Sequence, residues 1–477
     1  ILESYVIRSP RSELRKNFDQ KEHRLSVKEK RSAKNVINAQ RVLRDKLNNW
    51  LSEYSKSIDN QIELLNQLIV AIKERIQFLT IEVDNEDDAF TIFETLNERG
   101  LKLSPADLIK SYILRKILEE NSNADRDEII EIWDQIMDSL GDYDVTNFLR
   151  HYLLTIHETP IQKKVIFPKI KSAIEPNDNS IKAVSARKKL DDIKMAAVHY
   201  AQLLVNAEAN IENTEIEVSL KKLNMISDNH RIFLLKVLQS NFENEDVMFA
   251  IRSVEKIVFR WIICGENAQV LENTLQSASH MIKYKDQDSL VQACQSLINA
   301  CPTDDEFKQA IINKSVKDSK LQAYALRNIN LGIRGSEVVT ERREVSVEHI
   351  APQNPSDNSW YVKVAKKELV AEDSEDTLTY ESVVNRWGNI TIIERKLNSQ
   401  VQNNLWSLKK TGLPKKPGYS ASQIATTTEL LVIEDWNRSV IDARTLWFAN
   451  CALILWSKSL PSTKFPTIQG FTYHVSE

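Results

Sequence analysis

Glycine is the scarcest feature of this chain: 9 in 477 residues, about 2% against a usual level of about 7%. The first is Gly100, and the only pair closer than five residues is Gly332 and Gly335. Neither a Gly-x-Gly-x-x-Gly dinucleotide turn nor a Gly-x-x-x-x-Gly-Lys phosphate loop can be written from such positions, since both need glycine where backbone approaches phosphate. Proline is low too, at 12, and together the two shortages point to a helix-rich chain. The four cysteines, Cys264, Cys294, Cys301 and Cys451, have neither zinc-ligand spacing nor disulfide-scaffold density; buried thiols in a reducing cytoplasm are expected. The longest apolar stretch, Phe448 to Trp456, is nine residues with Asn450 inside it, far short of the roughly 20 that span a bilayer. No membrane association is expected. An excess of positive charge is also missing: 63 Lys+Arg face 67 Asp+Glu, a net charge of -4, so a nucleic-acid partner would have to meet a local basic surface.

What is present is length and helical periodicity. A prior of about 150 residues per domain suggests about three domains. Residues 1–50 carry 13 bases against six acids, a basic face that phosphate could use or that is simply solvated. The chain opens on Ile1-Leu2-Glu3-Ser4, without Met or a signal-like apolar run, and is expected to be trimmed upstream. Helical spacing runs through Val36 to Leu51 and Ile62 to Ile76, and Ile76 to Val83 alternates as one strand. Phe90 to Leu96 reads as a short helix ended by Gly100, and Ser104-Pro105-Ala106-Asp107 as the start of the next. From 119 to about 335 helix follows helix with no fixed repeat. His151, His157, His199, His230 and His280 have no paired-ligand spacing and are expected to be packed or surface histidines.

Near Arg334 the texture changes. Val338 to Thr340 and Glu344 to Ile350 read as strand, a loop follows through Trp360, Asn389 to Ile393 reads as a second extended piece, and a helix containing Asn398 comes next. The last helix is expected over Thr428–Lys458. Glu348-His349, Asn389 and Asn398 thus fall on a β-β-α succession, the layout of a His-metal finger nuclease. Phosphodiester hydrolysis needs a base for the attacking water and a cation for the developing charge. His349 suits the first near neutral pH. Glu348 and Asn398 are oxygen donors for a hard divalent cation, Mg²⁺ or Mn²⁺.

Val347-Glu348-His349-Ile350-Ala351-Pro352-Gln353, Trp360, Trp387-Gly388-Asn389-Ile390-Thr391-Ile392-Ile393, Leu397-Asn398 and Asn404-Leu405-Trp406-Ser407-Leu408-Lys409 resemble the C-terminal HNH domain of GmrSD-type modification-dependent restriction endonucleases. Trp436 and Arg444 fit as well. The resemblance implies His349 as general base, Glu348 and Asn398 as metal ligands, Asn389 as a residue that orients the histidine or braces the hairpin, and Lys409 as a phosphate contact. Asn403 and Asn404 stand near the third motif position; the nine-residue step from Asn389 favours Asn398. Lys410, Lys415 and Lys416 follow Lys409 in a stretch without acids, a candidate DNA-backbone surface.

Ala89 to Lys110 is similar to the distal part of the N-terminal ParB-like domain of the same family. That implies a nucleotide or DNA contact at Asn97, Arg99 and Lys110, although the family's Asp-Gly-Gln-Gln-Arg motif is absent here. The missing half would then lie upstream, on a partner subunit, or be lost. The expected fold is mostly α, with the distal ParB-like part at 1–118, a helical middle domain at 119–335 and a C-terminal ββα-metal (HNH/His-Me finger) nuclease domain at 336–477. The expected function is a cytoplasmic, metal-dependent DNA endonuclease of a bacterial anti-phage restriction system acting on modified or foreign DNA, with modified phage DNA as the expected partner. A partner-dependent interaction subunit of a split complex and a nucleotide-hydrolysing DNA-modification sensor stand as alternatives, and an oligomer and an RNA target stay open.

Overall fold

The computed structural model describes residues 27–54, 57–77, 104–121, 123–176, 183–205, 211–334, 345–355, 357–365, 379–462 and 464–473. The basic residues before Val27, the strand expected through Val83, the helix ending at Gly100 and the extended piece at Val338 to Thr340 lie outside them. The described residues are mostly helical and divide into two compact units.

The first unit takes Ile1–Gly141 with Phe167–Lys194. Helix Pro105–Glu120 begins as its sequence dictates: Ser104 Oγ accepts from the Asp107 amide at 3.2 Å, and Pro105 fills the first helical position, where no amide is needed. It buries Ile109, Tyr112, Ile113 and Ile117. Helix Arg126–Leu140 buries Ile129, Ile132, Trp133, Ile136 and Leu140, one apolar stripe at helical spacing.

The second unit takes Asp142–Ile166 with Met195–Glu477. Its longest helix, Asn244–Cys264, is buried along most of its length and ends where Gly265 adopts a left-handed φ of 76°. Asn213, Asn267 and Asp286 each cap a helix through their side chains, and Thr303 with Glu306 closes a reciprocal capping box. Strand β1 (Val345–His349) pairs antiparallel with β2 (Ile390–Glu394), with His349 opposite Ile390 and Val345 opposite Glu394. Both faces of this hairpin are covered. Ile390 and Ile392 join a core with Phe259, Tyr324, Phe448 and Trp456. Ile393 and Ile350 join another with Trp360, Trp406, Tyr419 and Trp436. A two-sided burial explains why β2 reads as a continuous apolar run. The small hairpin β3 (Gly412–Leu413) and β4 (Lys416–Pro417) turns with Pro414 and with Lys415 at φ 67°, the pattern of a type II turn.

The expected single helix Thr428–Lys458 is not what forms. A short helix Ala425–Thr428 and a 3₁₀ turn Glu429–Val432 precede an irregular stretch, and the long helix is Arg438–Leu455. Side chains from elsewhere claim the polar groups a continuous helix would use. Trp406 Nε1 and Lys410 Nζ both donate to the Ile433 carbonyl, at 3.1 and 2.7 Å. Asn437 then restarts the helix by accepting from the Val440 amide at 3.2 Å.

Candidate active site

Two adjacent residues at the end of β1 carry the titratable groups. Glu348 is buried at 7% exposure, and its Oε1 accepts from Lys409 Nζ and from the Tyr419 hydroxyl at 3.1 Å. Lys409 is itself fully buried, and its ammonium also donates to the His349 carbonyl at 2.9 Å. Burial pushes the Glu348 carboxyl up, with the Lys409 charge acting against it, and burial pulls the Lys409 ammonium down. Each charge is tolerated because the other is there.

His349 is neutral at pH 7. Burial lowers its pKa to about 4, opposed by the neighbouring Asn385 amide and reinforced by Lys409. Its Nε2 is buried and has no hydrogen-bond partner among the described residues. Both ring nitrogens of His230 and the indole nitrogens of Trp360 and Trp387 are likewise buried and unpartnered among the described residues, so the place of His349 in the motif, rather than the missing bond alone, singles it out.

Asn389 is fully buried and spends its whole side chain on structure. Oδ1 accepts from the Ala351 amide at 2.8 Å and from Trp436 Nε1 at 3.0 Å, while Nδ2 donates to the carbonyls of Ala351 at 2.9 Å and Val384 at 2.8 Å. It thereby holds the backbone two residues past His349. Arg444 NH1 donates to the Gly388 and Ile390 carbonyls, both at 2.7 Å, and grips the same turn from the other side. Gly388 is required there, because a Cβ would lie 1.9 Å from the Ile441 carbonyl oxygen.

Asn398, on helix Arg395–Val401, donates from Nδ2 to Ser346 Oγ at 2.8 Å and to the Val347 carbonyl at 3.1 Å. Ser346 and Glu348 are two residues apart on a strand, so they share a face. Asn398 and Glu348 therefore fall on one side of β1 as oxygen donors, a chemistry that fits a hard cation completing its shell with water, whereas His349, the next residue and the last of the strand, takes the other face by the same alternation. Among the described residues, no three His, Cys, Asp or Glu side chains gather as metal ligands.

The four lysines of the basic stretch go to different places. Lys409 faces the interior. Lys410 donates to the Ile433 carbonyl and lies over the Trp406 ring, whereas Lys415 and Lys416 are exposed on the β3–β4 hairpin. In the first unit Lys110 lies 3.9 Å from Asp134, and Asn97 and Arg99 fall outside the described residues. Tyr419 and Asn385 had no signal in the sequence beyond ordinary residue type. Trp436 and Arg444 were visible as a spaced pair without a role.

The model of the GmrSD restriction endonucleases, C-terminal domain, matches residues 301–450, and that of the GmrSD restriction endonuclease, N-terminal domain, matches residues 3–114. The chain belongs to the GmrSD restriction endonuclease family. As a GmrSD protein it is a nuclease of a restriction system, and restriction endonuclease domains act on DNA. Glu348, His349, Asn389, Asn398 and Lys409 all fall within the part matched by the C-terminal GmrSD domain, and Lys110 within that matched by the N-terminal one. No curated protein matches the sequence. Among the described residues no helix is long and apolar enough to cross a membrane.

Proposed function

We propose that this chain is a divalent-metal-dependent endonuclease of the HNH type, cutting modified or foreign DNA as part of an antiviral defence. His349 is its general base. The observation that carries this reading is a neutral imidazole with an unpartnered Nε2, one residue past a buried carboxylate, inside the stretch matched by the C-terminal GmrSD domain. As the water oxygen bonds to phosphorus, Nε2 takes the water's proton; the bond to the leaving oxygen breaks, and that oxygen takes a proton from solvent. Glu348 and Asn398 would hold a cation such as Mg²⁺ or Mn²⁺. When bound, it supplies positive charge against the charge developing on phosphate and leaving oxygen. Asn389 acts at one remove, by bracing the backbone after His349. Lys409 is a positioning residue in this scheme, tying Glu348 to the His349 carbonyl, and the exposed Lys415 and Lys416 contact the DNA backbone.

The test is cleavage of plasmid and of modified phage DNA with Mg²⁺ by the wild type and by His349→Ala and Asn398→Ala variants, with a chelator as a further arm. Loss of cutting in both variants and on chelation is expected. Undiminished cutting by both variants would sink the site assignment.

A further inference from the structure

Helix Asn244–Cys264 presents Arg252, Glu255 and Lys256 on one face, three and four residues apart. This face, Asn328 and described residues of the segment after helix Arg438–Leu455, among them Ser457, Ser459 and Lys464, line a cavity of about 140 Å³ in the second unit. None of it belongs to the β1–β2 site.

Lys256 is the informative residue. It is 7% exposed, and its ammonium donates to Ser457 Oγ at 3.1 Å and to the Ser459 carbonyl at 2.7 Å. Both acceptors are uncharged, and among the described residues no carboxylate pairs with it. An ammonium has three N–H donors, and two are used. A buried cation without a counter-ion is costly unless something negative reaches it. Lys409 shows the contrast, since it has Glu348.

The rest of the lining adds an arginine that is already ion-paired, an exposed lysine and two hydroxyls. Arg252 is held by Glu215 and by the Ser462 carbonyl at 3.0 Å. Lys464 is exposed at the rim, and the hydroxyls of Ser457 and Ser459 lie 3.0 Å apart on the turn. The one acid, Glu255, has its carboxyl pushed up by burial to about 7, so at neutral pH it opposes an incoming anion only in part.

We propose that this cavity is an oxyanion site that takes a phosphoryl group, either of a small phosphate ester or of a nucleic-acid strand, with Lys256 as its buried anchor. Two or three cations with convergent hydroxyls are the chemistry that recognises phosphate.

The experiment uses the full chain at constant ionic strength, with chloride as the control anion. Calorimetric titration with inorganic phosphate and with dAMP reads the small-molecule source, and anisotropy of a labelled duplex reads the nucleic-acid source. Saturable phosphate or dAMP binding that Lys256→Met weakens by about tenfold or more, and that Lys256→Arg retains, establishes a small phosphate ligand. Loss of duplex affinity of the same size in Lys256→Met, without phosphate binding, establishes the strand as the source. Lys464→Ala, on the exposed rim, reads the same site without touching the core and is expected to weaken the same ligand by a few-fold. Unchanged affinities for phosphate, dAMP and duplex in both Lys256→Met and Lys464→Ala overturn the proposal. Met keeps the length of the lysine stem, so thermal unfolding of Lys256→Met at or above the wild-type temperature verifies that the variant is folded.

Discussion

The Lys409 ammonium bridges the Glu348 carboxylate and the His349 carbonyl oxygen, so one buried cation joins the side chain of one candidate catalytic residue to the backbone of the next. A lysine that reads in sequence as part of a surface run is instead enclosed, and the Tyr419 hydroxyl donates to the same carboxylate oxygen.

Breaking this pair on one side leaves a buried charge. Lys409→Met is expected to destabilise the protein by about 3–5 kcal/mol. The double variant Glu348→Gln/Lys409→Met should cost markedly less, since both charges go together. Urea unfolding of the two singles and the double, arranged as a double-mutant cycle, checks it. Equal losses in Lys409→Met and in the double variant would show that the two groups do not compensate each other.

The two motif asparagines should separate cleanly. Asn389→Ala removes four buried hydrogen bonds and strands the Ala351 amide and the Trp436 indole, for a loss on the order of 3 kcal/mol or more. Asn398→Ala loses two partly buried bonds to Ser346 and Val347 and should keep the fold while cutting fails. Thermal melts run beside cleavage assays distinguish a brace from a reacting group; a stable, inactive Asn389→Ala would reverse the assignment.

Lys415 and Lys416 are exposed and Lys409 is not. If the first two touch DNA phosphates, each Lys→Ala change should reduce the slope of log affinity against log salt by about 1. Lys410→Ala, whose ammonium sits on the Ile433 carbonyl, should leave that slope alone. Duplex binding measured across a salt series decides.

Acid should destabilise this fold through its histidines. Burial lowers His349 to about 4 and His151 to about 3, from an ordinary 6.5. A depressed folded-state pKa means the stabilisation is complete above about 6.5 and is lost as pH falls toward the folded value. Each group should contribute a loss on the order of 2 kcal/mol by pH 4.5. Urea midpoints at pH 7 and pH 4.5 measure it, and His349→Asn should shrink the difference. The same shift predicts that the acid limb of cleavage falls near pH 4 rather than 6.5, because the imidazole keeps its acceptor nitrogen until then.

Substituting Gly388 tests the packing of the turn that presents Asn389. Gly388→Ala would drive a Cβ into the Ile441 carbonyl, and a fall in melting temperature is expected, with cleavage lost in proportion to unfolding.

Much of this protein is legible from residues close together in the chain. The run of helix after helix from Arg126 to Asn313 is legible because apolar spacing is local, and caps such as Asn213, Asn267, Asp286 and the Thr303–Glu306 box act on amides within three residues of themselves. The strands bearing Glu348-His349 and following Asn389 are readable for the same reason, as alternation and β-branching are local properties. The ordered motifs also sufficed to name the family.

What each polar side chain does was decided by partners far away in sequence. Lys409 finds Glu348 sixty-one residues off, Asn389 finds Trp436 forty-seven off, and Lys256 meets Ser457 across two hundred and one. The break at Ile433 belongs with these, since Trp406 and Lys410 impose it against a locally helical pattern. Helical periodicity is a property of neighbouring residues, but the direction in which a lysine or asparagine spends its hydrogen bonds depends on which acceptors the core brings within 3 Å of it. Local chemistry therefore determined the elements and the candidate residues, and tertiary packing alone separated the brace, the buried ion pair and the imidazole with an unpartnered Nε2.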